Sequence, residues 1–111
     1  MRTKELGKGG ARVPVVCLGV YPLAGPYAAV SEKQALDTLR TALDVGLTFI
    51  DTAEGYIGTE KLVGNAVKGR REEVFIATKV SGRDHSGEHI DRAVAGSLKM
   101  LGTDYLDLYQ I

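Results

Sequence analysis

Apolar residues in this chain gather into short continuous runs, separated by stretches with helical spacing. Val15-Val-Cys-Leu18, Leu47-Thr-Phe-Ile50, Val74-Phe-Ile-Ala77 and Tyr105-Leu-Asp-Leu-Tyr-Gln-Ile111 have strand character. A helix is predicted between the first two runs. Ser31 and Gln34 form a capping box at its start, and Leu36, Leu39 and Leu43 share one face with Ala35 and Ala42. Gly46 stands where a left-handed helix end is needed. A shorter helix from about Thr59 buries Leu62, Val63, Ala66 and Val67 and stops at Gly69. A longer one after Ser86 aligns Ile90, Ala93, Val94, Ser97, Leu98 and Leu101, and Gly102 ends it. The opening, Arg2 to Val13, reads as a hairpin turning at Gly9-Gly10.

Strands alternating with helices pair in parallel through right-handed crossovers. The near-continuous apolar strands predict cover on both faces of the sheet. The fold class is α/β, either an open sheet or part of a (β/α) barrel. The last run closes the sequence with no helix after it, and three helices are few for two faces, so the chain looks cut. Val15–Leu18 and Tyr105–Ile111 would then be outer strands, and self-association through open sheet edges is expected.

The stretch from Val13 to Val30 has no charge and approaches the length of a membrane span. It also holds all three prolines, Pro14, Pro22 and Pro26, which exclude a continuous helix. At 111 residues, 44% hydrophobic and 25% charged, the chain has the composition of one globular domain over 1–111. Fourteen basic residues balance fourteen acidic ones, which argues against nucleic acid or an acidic membrane as partner. One cysteine and no apolar signal core after Met1 favour a reducing, cytoplasmic location. Cys17, inside an apolar run, is expected to be a small buried hydrophobe.

In parallel α/β folds functional groups collect at the carboxyl ends of the strands. Asp51 closes the second apolar run, Lys79 closes the third, and Tyr56 lies in the Gly-rich loop Glu54-Gly-Tyr-Ile-Gly58. An acid, a lysine and a phenol on one rim make a proton-transfer site, with Lys79 favouring the phenolate and Asp51 holding the lysine charged. The plainer alternative stays open from spacing alone: a turn at Asp51, a snorkelling Lys79 and a packed Tyr56.

Other features carry less. Gly7-Lys8-Gly9-Gly10 lacks the Gly-Lys-Ser/Thr ending of a phosphate loop and fits a hairpin turn. His85 and His89 stand four apart, but no further ligand accompanies them, so no metal site is assigned. Arg70, Arg71, Glu72 and Glu73 read as a solvated cluster whose ion pairs contribute little.

Taken in order, Asp51-Thr-Ala-Glu-Gly-Tyr56, Gly58-Thr-Glu60 with Leu62 and Gly64, Ala77-Thr-Lys79, and Ser97-Leu98 through Thr103-Asp-Tyr-Leu-Asp-Leu-Tyr-Gln-Ile111 resemble the aldo-keto reductase family. The likeness runs the whole length and takes in the opening hairpin and Leu18-Gly19. It implies a partial (β/α)8 TIM barrel: an N-terminal hairpin, four parallel strands and three helices, the first half of the family's barrel. It implies NADPH-dependent reduction of a small carbonyl substrate, aldehyde or ketone, to an alcohol. The family's catalytic tyrosine, lysine and aspartate match Tyr56, Lys79 and Asp51. Its contacts to the nicotinamide end of NADPH (NADP) map onto Asp51, Val20 and Tyr21. The fourth catalytic member, a histidine, would follow Ile111 directly. Ile57 stands where many relatives have glycine, which reshapes the loop. The family's remaining strands carry most of the cofactor cleft, so the isolated chain is expected to be inactive. Two other possibilities are a non-enzymatic binding or regulatory protein on the same scaffold, and a truncated product without function.

Overall fold

The computed structural model describes residues 1–111. The chain opens with an antiparallel hairpin of β1 (Thr3–Glu5) and β2 (Arg12–Pro14), in the register Lys4 opposite Val13. Leu6 N–H donates to Ala11 C=O, so the connection spans the whole Gly-rich segment between them and not Gly9-Gly10 alone.

Four parallel strands follow: β3 (Leu18–Gly19), β4 (Phe49–Asp51), β5 (Phe75–Lys79) and β6 (Leu108–Gln110). Their spatial order is their chain order, each joined to the next by a helix: α1 (Glu32–Asp44), α2 (Thr59–Val67) and α3 (Gly87–Leu101). This is partial (β/α)8 barrel topology. Ser31 caps α1 through the reciprocal bonds its spacing predicts, Oγ accepting from Gln34 N–H and Ser31 N–H donating to the Gln34 side chain. Gly46 and Gly102 adopt positive φ just past α1 and α3.

The helices and the sheet share one core. Ile50 and Ile76 project from the sheet among Leu39, Leu43, Val63, Val67 and Leu101 of the helices. Strand alternation sends Phe49 and Asp51, with Phe75 and Lys79, to the opposite face, where Phe49 and Phe75 meet edge to face at 5.0 Å. Helices therefore cover one face only, which corrects the expectation of cover on both. Continuous apolar runs look alike in either case, because aromatic and aliphatic residues serve the inner face too.

Two runs are shorter than their hydrophobicity suggests. Val15, Val16 and Cys17 precede β3 and are exposed, so Cys17 is not the buried hydrophobe expected. Parallel pairing begins only at Leu18, opposite Ile50, and no helix lies over the face on which Cys17 falls. Tyr105 to Asp107 likewise lie outside β6. Here Arg71 intervenes. Its guanidinium donates to Thr103 Oγ1, the carbonyls of Val74 and Tyr105, and Asp107 Oδ2 at 2.7 Å, and it stacks 3.9 Å from the Tyr105 ring centroid. Arg71 is thus a half-buried tie between strands and not part of a solvated cluster. Arg70 does face solvent, paired with Asp44 and Glu73.

One glycine sets the distance between helices. A Cβ at Gly64 would stand 2.4 Å from the Leu101 carbonyl oxygen, so α2 and α3 touch backbone to backbone. Gly64→Ala is expected to lower stability. Overpacking costs about 1–3 kcal/mol, and the gain of about 1 kcal/mol from alanine's helix propensity offsets only part of it. Urea unfolding checks this, and a midpoint at or above wild type contradicts it.

Candidate active site

The carboxyl ends of β4 and β5 bring the sequence-picked residues together. Asp51 ends β4, Lys79 ends β5, and the strands are adjacent in register. Lys79 Nζ donates to Asp51 Oδ2 and to the Thr52 carbonyl, each at 2.8 Å. The other carboxylate oxygen, Oδ1, accepts from Gln110 Nε2 at 2.9 Å. Both charged side chains keep about a quarter to a third of their surface, 26% for Lys79 and 30% for Asp51. The rim is thus open enough for a ligand and closed enough for the pair to be oriented.

Tyr56 reaches the same place from the loop between β4 and α2. The Lys79 ammonium lies over its ring, 4.9 Å from the centroid. Tyr21 packs against the other side, with ring centroids 4.9 Å apart, and Tyr27 meets Tyr21 edge-on at 6.0 Å. Ile57, next to Tyr56, is 88% exposed.

The two other cofactor candidates differ. Val20 is fully buried in the core; its N–H donates to the Asp51 carbonyl and its C=O accepts from Leu23. Tyr21 stands exposed in a 3-10 turn, Tyr21–Ala24, at the rim.

Several residues that the sequence did not single out support this arrangement. Gln110 could have been found by alternation, since it lies opposite Lys79 in β6 and on the same face. Thr52, Thr59, Glu60 and Thr78 are buried behind the rim, with Thr52 and Thr59 hydroxyls 2.9 Å apart and Thr78 Oγ1 donating to Glu60 at 2.7 Å. All four lie inside the segments that carry the family resemblance, but a lone Thr or Glu in a loop, strand or first helical turn has many ordinary uses, so no role was assigned to them.

Cys17 senses the same charges. Its thiol is pushed above the ordinary value, first by lost solvation and then by the Asp51 carboxylate, with Lys79 opposing. A thiol held protonated is a poor nucleophile. His85 is exposed ahead of α3, and His89 lies in its first turn with Nδ1 3.9 Å from Asp84.

Tyr109 of β6 points the other way, its hydroxyl buried and without a hydrogen-bond partner in the protein. Burial, then repulsion from Glu54 and Glu60, raises its pKa above the ordinary phenol value. The folded state holds this proton more tightly than the unfolded one. Stability linked to it is present below about pH 10 and falls as pH rises through the folded value. Tyr109→Phe is therefore expected to be neutral or stabilising at pH 7 and to soften the alkaline loss. Denaturation at neutral and alkaline pH measures both; a loss of stability at pH 7 contradicts the assignment.

A parallel strand–helix repeat with an acid, a lysine and a phenol at its carboxyl rim defines part of a (β/α) barrel with a candidate proton-transfer site. Residues 15–111 match the aldo/keto reductase family, and the chain belongs to it. Aldo-keto reductase YhdN of Bacillus subtilis is 36% identical, covering 100% of this chain and 38% of its own length. Methylglyoxal reductase YeaE of Escherichia coli is 41% identical, covering 91% and 36%. Among solved structures, the thermostable aldo-keto reductase Tm1743 superposes with a TM-score of 0.88 at 40% identity, covering 98% of this chain and 42% of that one. An aldo-keto reductase from Klebsiella pneumoniae in complex with NADPH gives 0.82 at 38% identity, covering 98% and 39%. The chain thus spans less than half the length of these relatives. No helix in it is long and apolar enough to cross a membrane.

Proposed function

We propose that this chain supplies the proton-donating side of an NADPH-dependent carbonyl reductase acting on small aldehydes or ketones. The observation that carries the proposal is the Lys79 ammonium, fixed by Asp51 and the Thr52 carbonyl and set against the Tyr56 ring. In this reading the Tyr56 hydroxyl gives its proton to the substrate oxygen, and the phenolate left behind is stabilised by Lys79. Asp51 keeps the lysine oriented. Solvent then returns the proton to Tyr56.

The residues present fit the nicotinamide end of the cofactor. Gly19 stands opposite Asp51 in register, and a side chain there would meet nothing within 4 Å, so open space lies beside the carboxylate for a flat ring. Asp51 and Tyr21 are the residues that would hold it. When bound, NADPH supplies the hydride. Support for this cofactor comes from the Klebsiella relative bound to NADPH, and support for a small carbonyl substrate from the methylglyoxal reductase of Escherichia coli.

The test extends this chain with the remaining strands of a relative and follows NADPH consumption with nitrobenzaldehyde, beside the 111-residue chain. Turnover by the extended protein supports the reading, and the shorter chain is expected to show none. An extended protein that binds NADPH yet reduces no aldehyde or ketone overturns it.

A further inference from the structure

We propose that Ser81, Thr59 and Thr52 are positioning residues that set the Tyr56 ring on the Lys79 ammonium. Its catalytic consequence rests on the reductase reading above, but the geometry does not.

The loop that bears Tyr56 is held from two sides. On the side of β5, Glu54 N–H donates to the Lys79 carbonyl at 3.1 Å, and Gly55 N–H donates to Ser81 Oγ at 2.8 Å. Ser81 N–H in turn donates to Glu54 Oε2 at 3.1 Å, closing a reciprocal clasp. The fit is tight, because a Cβ at Gly55 would lie 2.6 Å from Ser81 Oγ. Tyr56 is the next residue, so the clasp fixes where its backbone leaves the rim.

On the side of α2, the Tyr56 carbonyl accepts two bonds from Thr59, from N–H at 2.9 Å and from Oγ1 at 2.7 Å. A threonine hydroxyl has one proton. Thr59 spends it on Tyr56 and must therefore accept from Thr52 Oγ1, 2.9 Å away. Thr52 in turn offers its carbonyl to Lys79 Nζ. A path thus runs from the Tyr56 carbonyl by hydrogen bonds through the Thr59 and Thr52 hydroxyls, and then across the Thr52 residue itself to its carbonyl and the lysine. Both threonines are wholly buried, where a hydroxyl left unpaired is costly, so the direction of each bond is fixed.

This is not ordinary helix capping. Gly58 is the N-cap of α2 and offers no side chain, and the Thr59 hydroxyl turns back to a carbonyl instead of forward to a free N–H. What the bond holds is Tyr56. A general acid displaced by about 1 Å can lose 10²-fold in rate, which is the use of such an arrangement.

The readout is the Tyr56–Lys79 contact itself. In the 111-residue chain with 13C at the lysine ε-carbon, the Lys79 ε-methylene signal should be displaced by the Tyr56 ring current, and Tyr56→Leu should remove the displacement. Thr59→Val and Ser81→Ala should each move the signal back toward the exposed lysines, with core methyl signals unchanged, and Thr59→Ser should restore it. If Thr59→Val fails to fold, Ser81→Ala on the rim decides alone. A displacement kept in full by the folded variants overturns the proposal. In the extended barrel the same variants should lower kcat about 10-fold or more with KM unchanged. Should the extended barrel bind NADPH yet reduce no aldehyde or ketone, the reductase reading falls, whatever the Lys79 signal shows.

Discussion

In a barrel built on this segment, Tyr56→Phe is expected to lower carbonyl reduction by about 10²–10⁴-fold while NADPH affinity stays nearly unchanged. The ring survives the substitution, so its packing against Tyr21 and its face toward Lys79 are kept. Only the proton donor is lost. Lys79→Met should be nearly as severe, for a different reason. The phenolate formed in the step loses its cation, and Asp51 is left half-buried with Gln110 as its remaining side-chain partner. The two variants should therefore differ in residual rate: Tyr56→Phe has no phenol to donate at any pH, whereas Lys79→Met keeps a donor that is only weakened. Steady-state kinetics with NADPH and nitrobenzaldehyde across pH measure both. Retention of most activity by Tyr56→Phe would remove Tyr56 as the acid.

The largest effect on folding is expected away from this rim. Arg71→Ala should cost about 2–4 kcal/mol, since truncating one partner of a half-buried charged pair also strands the other. Asp107 Oδ2, the partner, additionally accepts from Ile76 N–H. The guanidinium thereby joins the start of β5 to the approach to β6, and its loss loosens both. Arg71→Lys should recover little, because one ammonium cannot reach Thr103, Val74, Tyr105 and Asp107 together. Calorimetry or urea unfolding gives the numbers. A loss below about 1 kcal/mol would return Arg71 to the class of surface pairs.

The helices were legible in the sequence because their ends carry local chemistry. Ser31 with Gln34 and the glycines at 46 and 102 act within one turn, so spacing alone finds them. The strand rims were legible for a similar reason: Asp51 and Lys79 are polar residues ending apolar runs. Depth was not. Val15 to Cys17 are as apolar as Ile50 and Ile76, yet their exposure depends on pairing partners distant in sequence. Arg71 resembled its neighbour Arg70 for the same reason, since four groups beyond residue 73 decide its burial. At the site, the residues with chemistry of their own stood out; Thr52 and Thr59 lay within the resembling segments without a role of their own, and Ser81 was not marked at all. A hydroxyl in a loop or first helical turn has many ordinary uses, and only the folded contacts select one.

The close approach of Gly55 to Ser81 has an evolutionary side. Any side chain at position 55 meets the hydroxyl at 81. A residue larger than glycine at 55 is therefore accommodated only once the side chain at 81 has shifted or shrunk. A lineage that needs a different Tyr56 loop must first pass through a small residue at 81, giving up the clasp before it gains a new one. The order of the two replacements is constrained even though neither residue touches the reacting atoms.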